Sequence, residues 1–271
     1  MTAFIYHFVF EFKAGLRNQS SMLMNYLFPL SFYALIGFVM TKINPGFANV
    51  LLPAMTFFSI MTGTLLGLPM PLVAAREAGV YRSYKINGVP ALSILSIPAL
   101  AAVFHALIAS AIIALTANIL FGGRSPDAWW SFAALVLVIA IVFSAIGALI
   151  GVVAADSRSV VLLSQLIFLP SMILGGLMIP SEMLPRSVRT ISGLLPSTYA
   201  MQIIRAYAYH QKTMLDPRIC LGILLSSGIL AFGLAVYLFN WDTKNTARRG
   251  RNFLALLALT PFVMGVFLMQ K

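Results

Sequence analysis

The chain has 271 residues, of which 60% are hydrophobic and 9% are charged, whereas soluble domains carry about 25% charged residues. So few polar side chains cannot cover a globule in water, and the composition therefore predicts an all-α integral membrane protein. The net charge of +11 does not indicate nucleic-acid binding here, because cationic loops are expected to hold helix ends at the cytoplasmic leaflet.

Residues with reactive side chains are too few for most kinds of site. The single cysteine, Cys220, excludes an internal disulfide and a cysteine-rich metal site. The histidines His7, His105 and His210 are isolated from one another, so neither a metal cluster nor a catalytic group is predicted. The pattern GxxxxGK followed by Ser or Thr does not occur, so we expect any ATP-hydrolysing motor to be a separate chain.

The first predicted element is an amphipathic helix in residues 1–20. Its apolar residues recur at helical spacing, while His7 and Glu11 fall on the opposite side. Such a helix lies in the membrane interface; the alternative is that it is merely the beginning of the first span. The apolar positions are Phe4, Ile5, Phe8, Phe12 and Leu16.

Six apolar runs are long enough to cross a bilayer, which needs about 20 helical residues. They cover about 22–40, 50–73, 91–120, 129–154, 160–179 and 218–240. The third run exceeds one crossing, so a tilt or a cytoplasmic extension is expected. A last run, 253–269, is short and contains Pro261, and it is predicted either to cross or to lie half-buried.

Lys and Arg residues in short loops orient these spans. With the N-terminus inside, the inner segments hold ten of them and the two short outer loops hold two, so a cytoplasmic N-terminus is predicted. The inner residues are Lys13, Arg17, Arg76, Arg82, Lys85, Arg158, Lys244, Arg248, Arg249 and Arg251, and the outer ones are Lys42 and Arg124. The charged stretch 74–90 is therefore expected in the cytoplasm.

Residues 180–217 are too broken for a span and too apolar for a free loop. Prolines interrupt the segment at Pro180, Pro185, Pro196 and Pro217. We expect one or two short helices that dip into the outer leaflet or cap a pore.

Two motifs together carry a family resemblance. The first is REAGVYRS at 76–83, followed by Pro90. The second is FLPSMILGGLMIP at 168–180, which continues to LLPSTYA at 194–200 and Arg205. With the layout of spans over residues 1–240, they resemble the permeases of the ABC-2 type transporter family, and the second motif is the more specific.

The resemblance implies a six-span ABC-2 transmembrane domain, similar to type V exporters, over residues 21–240. It implies a cytoplasmic coupling helix at about 74–90 and re-entrant outer helices at about 180–217. The interfacial helix 1–20 would precede this domain. Residues 241–271, a basic linker with an extra C-terminal apolar helix, depart from the six-span pattern.

The resemblance also implies the partners. Two copies of a separate ATP-binding cassette ATPase subunit would bind ATP and Mg, while this chain would bind no cofactor. A second permease chain would complete a homodimer or related heterodimer, surrounded by lipid in a bacterial or archaeal cell membrane. ATPase coupling is assigned to Arg76, Glu77, Gly79, Tyr81, Arg82 and Lys85, and the alternative is a solvated loop.

Two further sets of residues are candidates for the transport path. The substrate path is assigned to Thr56, Phe57, Ser59, Gln165, Phe168 and Ser171, and the alternative is ordinary helix packing. The outer gate is assigned to Pro180, Pro196 and Tyr199, which could equally form a structural cap. His105, expected near the middle of its span, is a candidate for a pore or proton role or for a quiet interhelical hydrogen bond.

The predicted function is therefore that of a permease subunit of an ATP-driven exporter for a drug, an antibiotic or a lipid. A polysaccharide or lipid-linked glycan exporter is the nearest alternative, since the same architecture serves both. An ion-coupled secondary transporter is disfavoured, because all seven acidic residues fall at span ends or in loops. An intramembrane enzyme would need a catalytic constellation that His105 alone does not supply.

Overall fold

The computed structural model describes residues 2–178, 184–241 and 246–269, and every regular element within these residues is helical. The helices are α1 (Thr2–Arg17), α2 (Gln19–Ile43), α3 (Pro45–Glu77), α4 (Val80–Ile86), α5 (Ala91–Phe121), α6 (Trp129–Val153), α7 (Ser157–Leu174), α8 (Arg186–Ser192), α9 (Pro196–Tyr209), α10 (Pro217–Leu238) and α11 (Asn252–Met269). In the described part of the chain, seven of them are long and apolar enough to cross a membrane: α2, α3, α5, α6, α7, α10 and α11. The all-α, multi-pass membrane architecture is thus confirmed.

One end of the bundle, which we call the α4 end, brings together α4 and the ends of α3 and α6. Nη1 of Arg76, in the last turn of α3, donates to the carbonyl oxygen of Val152 in α6 at 2.9 Å. Nδ2 of Asn252 donates to the carbonyl oxygen of Val153 at 3.1 Å, so α11 begins at this same end. Segments that were predicted to be cytoplasmic therefore meet here.

The opposite end, which we call the Arg124 end, joins the α5–α6 loop to α3 and α9. The amide of Arg124 donates to the carbonyl oxygen of Ala48 at 3.0 Å, and the amide of Asp127 donates to that of Ala208 at 2.8 Å. Both short loops that were predicted to be outer lie at this end. Consecutive spans from α2 to α6 therefore alternate in direction.

Helices α3 and α6 form the centre of the bundle, and glycines let them approach closely. A Cβ at Gly147 of α6 would lie 2.0 Å from the carbonyl oxygen of Thr64 in α3. At Gly151, one turn later, a Cβ would lie 2.9 Å from the Leu72 side chain. Helices in a membrane associate without a hydrophobic driving force, and small residues let them pack closely. The middle of α3 is almost wholly buried between α5 and α6.

Helices α2 and α3 each contain a π-helical segment, and these two segments contact each other. They are Leu23–Leu27 in α2 and Thr62–Gly67 in α3. Asn25 projects from the first segment, and its Oδ1 would lie 2.9 Å from a Cβ at Gly67 and 3.2 Å from one at Gly63. The glycine pair therefore receives a buried polar side chain of the neighbouring helix. π-Helical turns of this kind are frequent at functional sites.

Helix α1 is separate from α2, because the chain leaves the helical conformation at Asn18. It packs along α5, where the Phe12 ring stacks on His105 with centroids 4.4 Å apart and an angle of 5°. Nδ1 of His105 lies 2.7 Å from the Tyr26 hydroxyl. This histidine thus lies where α1 meets α2 and α5, among aromatic side chains, and it lines a cavity of about 160 Å³ there.

The last helix, α11, extends the predicted six-span pattern to seven candidate spans. It runs antiparallel to α10, where the Ser227 hydroxyl donates to the carbonyl oxygen of Ala258 at 2.9 Å. Its first part, up to Leu259, is wound as a 3₁₀ helix, which rises about 2.0 Å per residue instead of about 1.5 Å. The helix is therefore roughly 30 Å long, enough for the hydrocarbon core of a bilayer.

Candidate functional site: coupling surface, cavity and hairpin

The turn before α4 depends on Gly79. The predicted coupling helix at 74–90 is two pieces in the structure, since α3 continues to Glu77 and α4 begins at Val80. Gly79 between them has a φ of 75°, in the left-handed region that side chains with a Cβ adopt only at a cost. No neighbouring atom crowds this position, so the backbone conformation alone favours glycine.

Aromatic contacts fix α4 against the bundle. Tyr81, 4% exposed, packs on Phe239 after α10 with ring centroids 5.3 Å apart. Tyr84 packs edge-on against His7 of α1 at 5.8 Å. Burial, with a smaller contribution from the Glu11 carboxylate, raises the pKa of the Tyr81 phenol, which stays neutral. A movement of α4 would therefore be transmitted to α1 and α10 through these contacts.

The other face of α4 is exposed and carries both charge and apolar surface. Arg82 and Lys85 lie on it, and Ile86 is 86% exposed. An exposed isoleucine offers an apolar contact, and the cationic side chains beside it offer the polar rim that protein interfaces typically have. We call this face, formed by Arg82, Lys85 and Ile86, the α4 surface.

Arg76 does not belong to the α4 surface. It is 8% exposed, and its guanidinium donates to carbonyl oxygens at the end of α6, those of Val152 and Ala154 among them. The last carbonyls of a helix have no intrahelical partner, and a cation there also complements the helix dipole. Arg76 therefore caps α6 and anchors the segment that leads into α4.

Glu77 connects α3 with the beginning of α7. It is exposed, and the Ser157 hydroxyl donates to its Oε2 at 3.4 Å. Asp156 caps α7, since the amide and hydroxyl of Ser159 both donate to its Oδ1 at 2.8 Å. These donors lower the pKa of the Asp156 carboxyl below its ordinary value. The α4 end is thus linked to a helix that was assigned to the substrate path.

Three of the predicted path residues lie in packed interior. Thr56, Phe57 and Ser59 of α3 are fully buried. The Ser59 hydroxyl lies 3.1 Å from that of Ser110 in α5, and the Phe57 ring packs on Phe143 at 5.1 Å. In this conformation Ser59 and Phe57 connect α3 with α5 and α6.

Of the three candidates on α7, Gln165 alone lines a cavity, whereas Phe168 and Ser171 are packed in the interior. Gln165 lines a cavity of about 420 Å³ between α2, α3 and α7. Phe168 packs on Phe58 of α3 at 5.7 Å, and Ser171 is fully buried. Sequence reasoning missed most of the lining, which also includes Asn18, Ser20, Ser21, Met24, Leu66, Gly67 and Met70. The helix break at Asn18 was the signal that could have indicated it.

The predicted gate residues fall on the segment after α7. Pro180 lies outside the described residues, and Pro196 occupies the first turn of α9. Tyr199 is fully buried, and its hydroxyl donates to the carbonyl oxygen of Gly193 at 2.7 Å. Helices α8 and α9 with the turn between them form what we call the α8–α9 hairpin, whose last residues reach the Arg124 end.

Comparison with known proteins now decides the class of this bundle. The ABC-2 type transporter family matches residues 2–209. The chain belongs to this family. It is therefore a membrane transport permease and not an enzyme, and such permeases typically work with an ATP-binding subunit. All of α10 and all of α11 lie beyond the matched residues.

Among curated proteins, this permease is similar to "Putative transport permease YvfS" of Bacillus subtilis (strain 168). The two are 26% identical over 213 residues, which cover 76% of this chain and 86% of the relative. No solved structure matches the chain.

Proposed function

We propose that this permease is the membrane subunit of an ATP-driven exporter that moves a hydrophobic or amphipathic molecule, such as a drug, an antibiotic or a lipid, out of the cell by alternating access. The α4 surface carries this proposal. It projects from a helix that is packed on α1 and α10 and joined by a short turn to α3. A partner that pushes on α4 would therefore move the bundle.

Two copies of an ATP-binding cassette subunit, which hold ATP and Mg, would dock on the α4 surface. Lys85 and Arg82 would set the register by charge, and Ile86 would supply the apolar contact. Glu77 would contribute at the edge, where Ser157 holds it beside α7. Arg76, Gly79 and Tyr81 would act inside the chain, by transmitting the motion instead of touching the partner.

The cavity between α2, α3 and α7 supports the proposed cargo. Its volume of about 420 Å³ is in the range of small-molecule sites, about 300–1,000 Å³. Methionine, leucine and valine side chains form the apolar part of its wall, and serine, asparagine and glutamine side chains, Gln165 among them, form the polar part. This mixture suits an amphipathic molecule that enters at the level of α1.

A second permease chain would complete the path by packing on α7. The outward face of α7 carries Leu162, Leu166 and Leu169, which are 72%, 69% and 47% exposed and recur at helical spacing. We assign this face to the contact with the second chain, which would turn the cavity beside α7 from a lateral cleft into an enclosed path.

The test is ATP hydrolysis by the cassette subunit together with this permease in lipid nanodiscs, with hydrophobic drugs and lipids added. We expect Gln165→Trp, which fills the cavity, to abolish stimulation by these compounds and to leave basal hydrolysis unchanged. Ser93→Trp, on α5 outside the cavity lining, is the matched control. Full stimulation of the Gln165→Trp variant would refute the assignment of the path.

A further inference from the structure

Tyr199 joins the α8–α9 hairpin to α11. Its hydroxyl donates to the carbonyl oxygen of Gly193 in the hairpin turn at 2.7 Å and lies 3.4 Å from that of Phe262 in α11. The Tyr199 ring stacks on the Phe262 ring with centroids 5.6 Å apart and an angle of 29°. Both rings are buried, so the contact excludes solvent and lipid.

The surface of α11 is shaped to receive this side chain. A Cβ at Gly265 would lie 2.1 Å from the Tyr199 hydroxyl oxygen and 2.7 Å from Cζ, so only glycine fits there without a shift. The hairpin turn fits α11 in the same way, since a Cβ at Gly193 would lie 2.9 Å from the Val266 side chain. Glycines on both partners thus allow the last turns of α11 to approach the hairpin closely.

The rest of α11 is held by the bundle and not by the hairpin. Asn252 binds the end of α6 at the α4 end, and Ala258 accepts a hydrogen bond from Ser227 of α10. The helix is therefore anchored along its length to α6 and α10, and it meets the hairpin at its final two turns. It is a fixed element against which the hairpin rests.

We propose that α11 acts as a latch that holds the α8–α9 hairpin closed. The contact that holds it is the packing of Tyr199 against Phe262 and Gly265 of α11. The hairpin cannot swing away from the bundle unless the Tyr199 ring leaves Phe262 and Gly265. These are positioning residues: they set how often the hairpin opens and need not touch cargo. That the hairpin gates transport rests on the proposed function, whereas the latch itself does not.

Water access to the hairpin measures the latch directly. The single cysteine, Cys220, is buried and is replaced in a Cys220→Ala background, and Ser197→Cys places a reporter at a fully buried position of α9. The readout is the rate at which a charged maleimide labels this cysteine in the full chain in lipid nanodiscs. We expect Gly265→Ala to raise the rate at least about fivefold, because an overpacking cost of about 1 kcal/mol corresponds to that factor.

The matched control is Gly233→Ala on α10, where an added Cβ meets nothing within 4 Å, and we expect it to leave the rate unchanged. A second variant, Phe262→Leu, removes the stacked ring and keeps an apolar side chain; it should also speed labelling. A second reporter, Ser59→Cys in the centre of α3, should stay protected in every variant.

Two results would overturn the latch. One is an unchanged labelling rate at Ser197→Cys in both Gly265→Ala and Phe262→Leu. The other is equal acceleration at the Ser59→Cys reporter, which would mean general loosening of the bundle instead of release of the hairpin. Neither readout requires cargo, ATP or the cassette subunit, so a failed latch leaves the proposed function standing, and a failed transport assay leaves the latch standing.

Discussion

The guanidinium of Arg76 is bound to the end of α6, with Nη1 donating to the carbonyl oxygen of Val152 at 2.9 Å. Nη2 donates to the carbonyl oxygen of Ala154 and lies 3.4 Å from that of Ala155. The cation thus satisfies carbonyls that α6 itself leaves without a partner. Through this contact the segment leading into α4 is tied to the central helix of the bundle.

Arg76→Ala should destabilise the permease and not merely weaken docking. Hydrogen bonds to a charged group contribute about 1.5–3 kcal/mol, so we expect the free energy of unfolding to fall by about that amount. Arg76→Lys should recover little of it, because a single ammonium cannot reach the same carbonyls in a fork. Thermal unfolding in detergent measures this; an unfolding midpoint equal to that of the unmodified chain would contradict the capping role.

At position 79, residues that tolerate a left-handed backbone should preserve activity, and residues that do not should lose it. Its φ of 75° is left-handed, which costs a residue with a Cβ about 1–2 kcal/mol. We expect Gly79→Val to lose cassette-dependent ATP hydrolysis, while Gly79→Asn keeps most of it because asparagine tolerates this conformation. Gly222→Ala, in an uncrowded position on α10, is the control and should behave as the unmodified chain does.

Two of the predicted path residues, Gln165 and Ser59, should respond in opposite ways. Gln165→Leu should change which compounds are transported and leave stability within about 0.5 kcal/mol, because it alters a cavity wall. Ser59→Ala should keep the compound profile and lower the free energy of unfolding by about 0.5–1.5 kcal/mol, since Ser110 loses its partner. A changed profile in Ser59→Ala would show that this part of α3 lines the path after all.

The cap at Asp156 should make α7 sensitive to acid. Because its folded-state pKa is lowered, the cap stabilises the permease fully above the ordinary carboxyl value of about 4 and is lost as the pH falls through the folded-state pKa. Asp156→Asn keeps an acceptor but does not titrate there. The stability difference between the two proteins should shrink from pH 7 to pH 3, and a constant difference would exclude Asp156 as the source.

Much of the fold could be predicted because the bilayer imposes simple lengths. To predict spans from apolar runs such as 91–120 and 129–154, only the helical rise and the thickness of the hydrocarbon core were needed. These two runs correspond to α5 and α6 in the structure. The last run, 253–269, looked marginal because an α-helical rise was assumed for it. Its 3₁₀ winding adds length, and its contact with α10 depends on packing that no local pattern contains.

The candidate site was harder to predict, because the roles of its residues depend on distant partners. Arg76 and Arg82 look alike in sequence, yet the first reaches a carbonyl 76 residues away and the second lies on the α4 surface. Thr56 and Ser59 were assigned to the path because they are polar, but a polar side chain can equally form a hydrogen bond between packed helices, as Ser59 does with Ser110 of α5. The link between Tyr199 and Phe262 joins residues 63 apart and carries no motif.

The central claim is that an ATP-binding cassette subunit docks on the α4 surface, and co-purification tests it most directly. The variant Lys85→Glu with Ile86→Asp changes that surface, and Lys42→Glu with Ile43→Asp makes the same two changes at the Arg124 end, where Ile43 is 71% exposed. With a tagged ATP-binding cassette subunit produced together with this permease, we expect the first variant to lose the partner and the second to retain it, with equal membrane insertion of both. Retention of the partner by the α4 variant, or its loss only from the Arg124-end variant, would contradict the account.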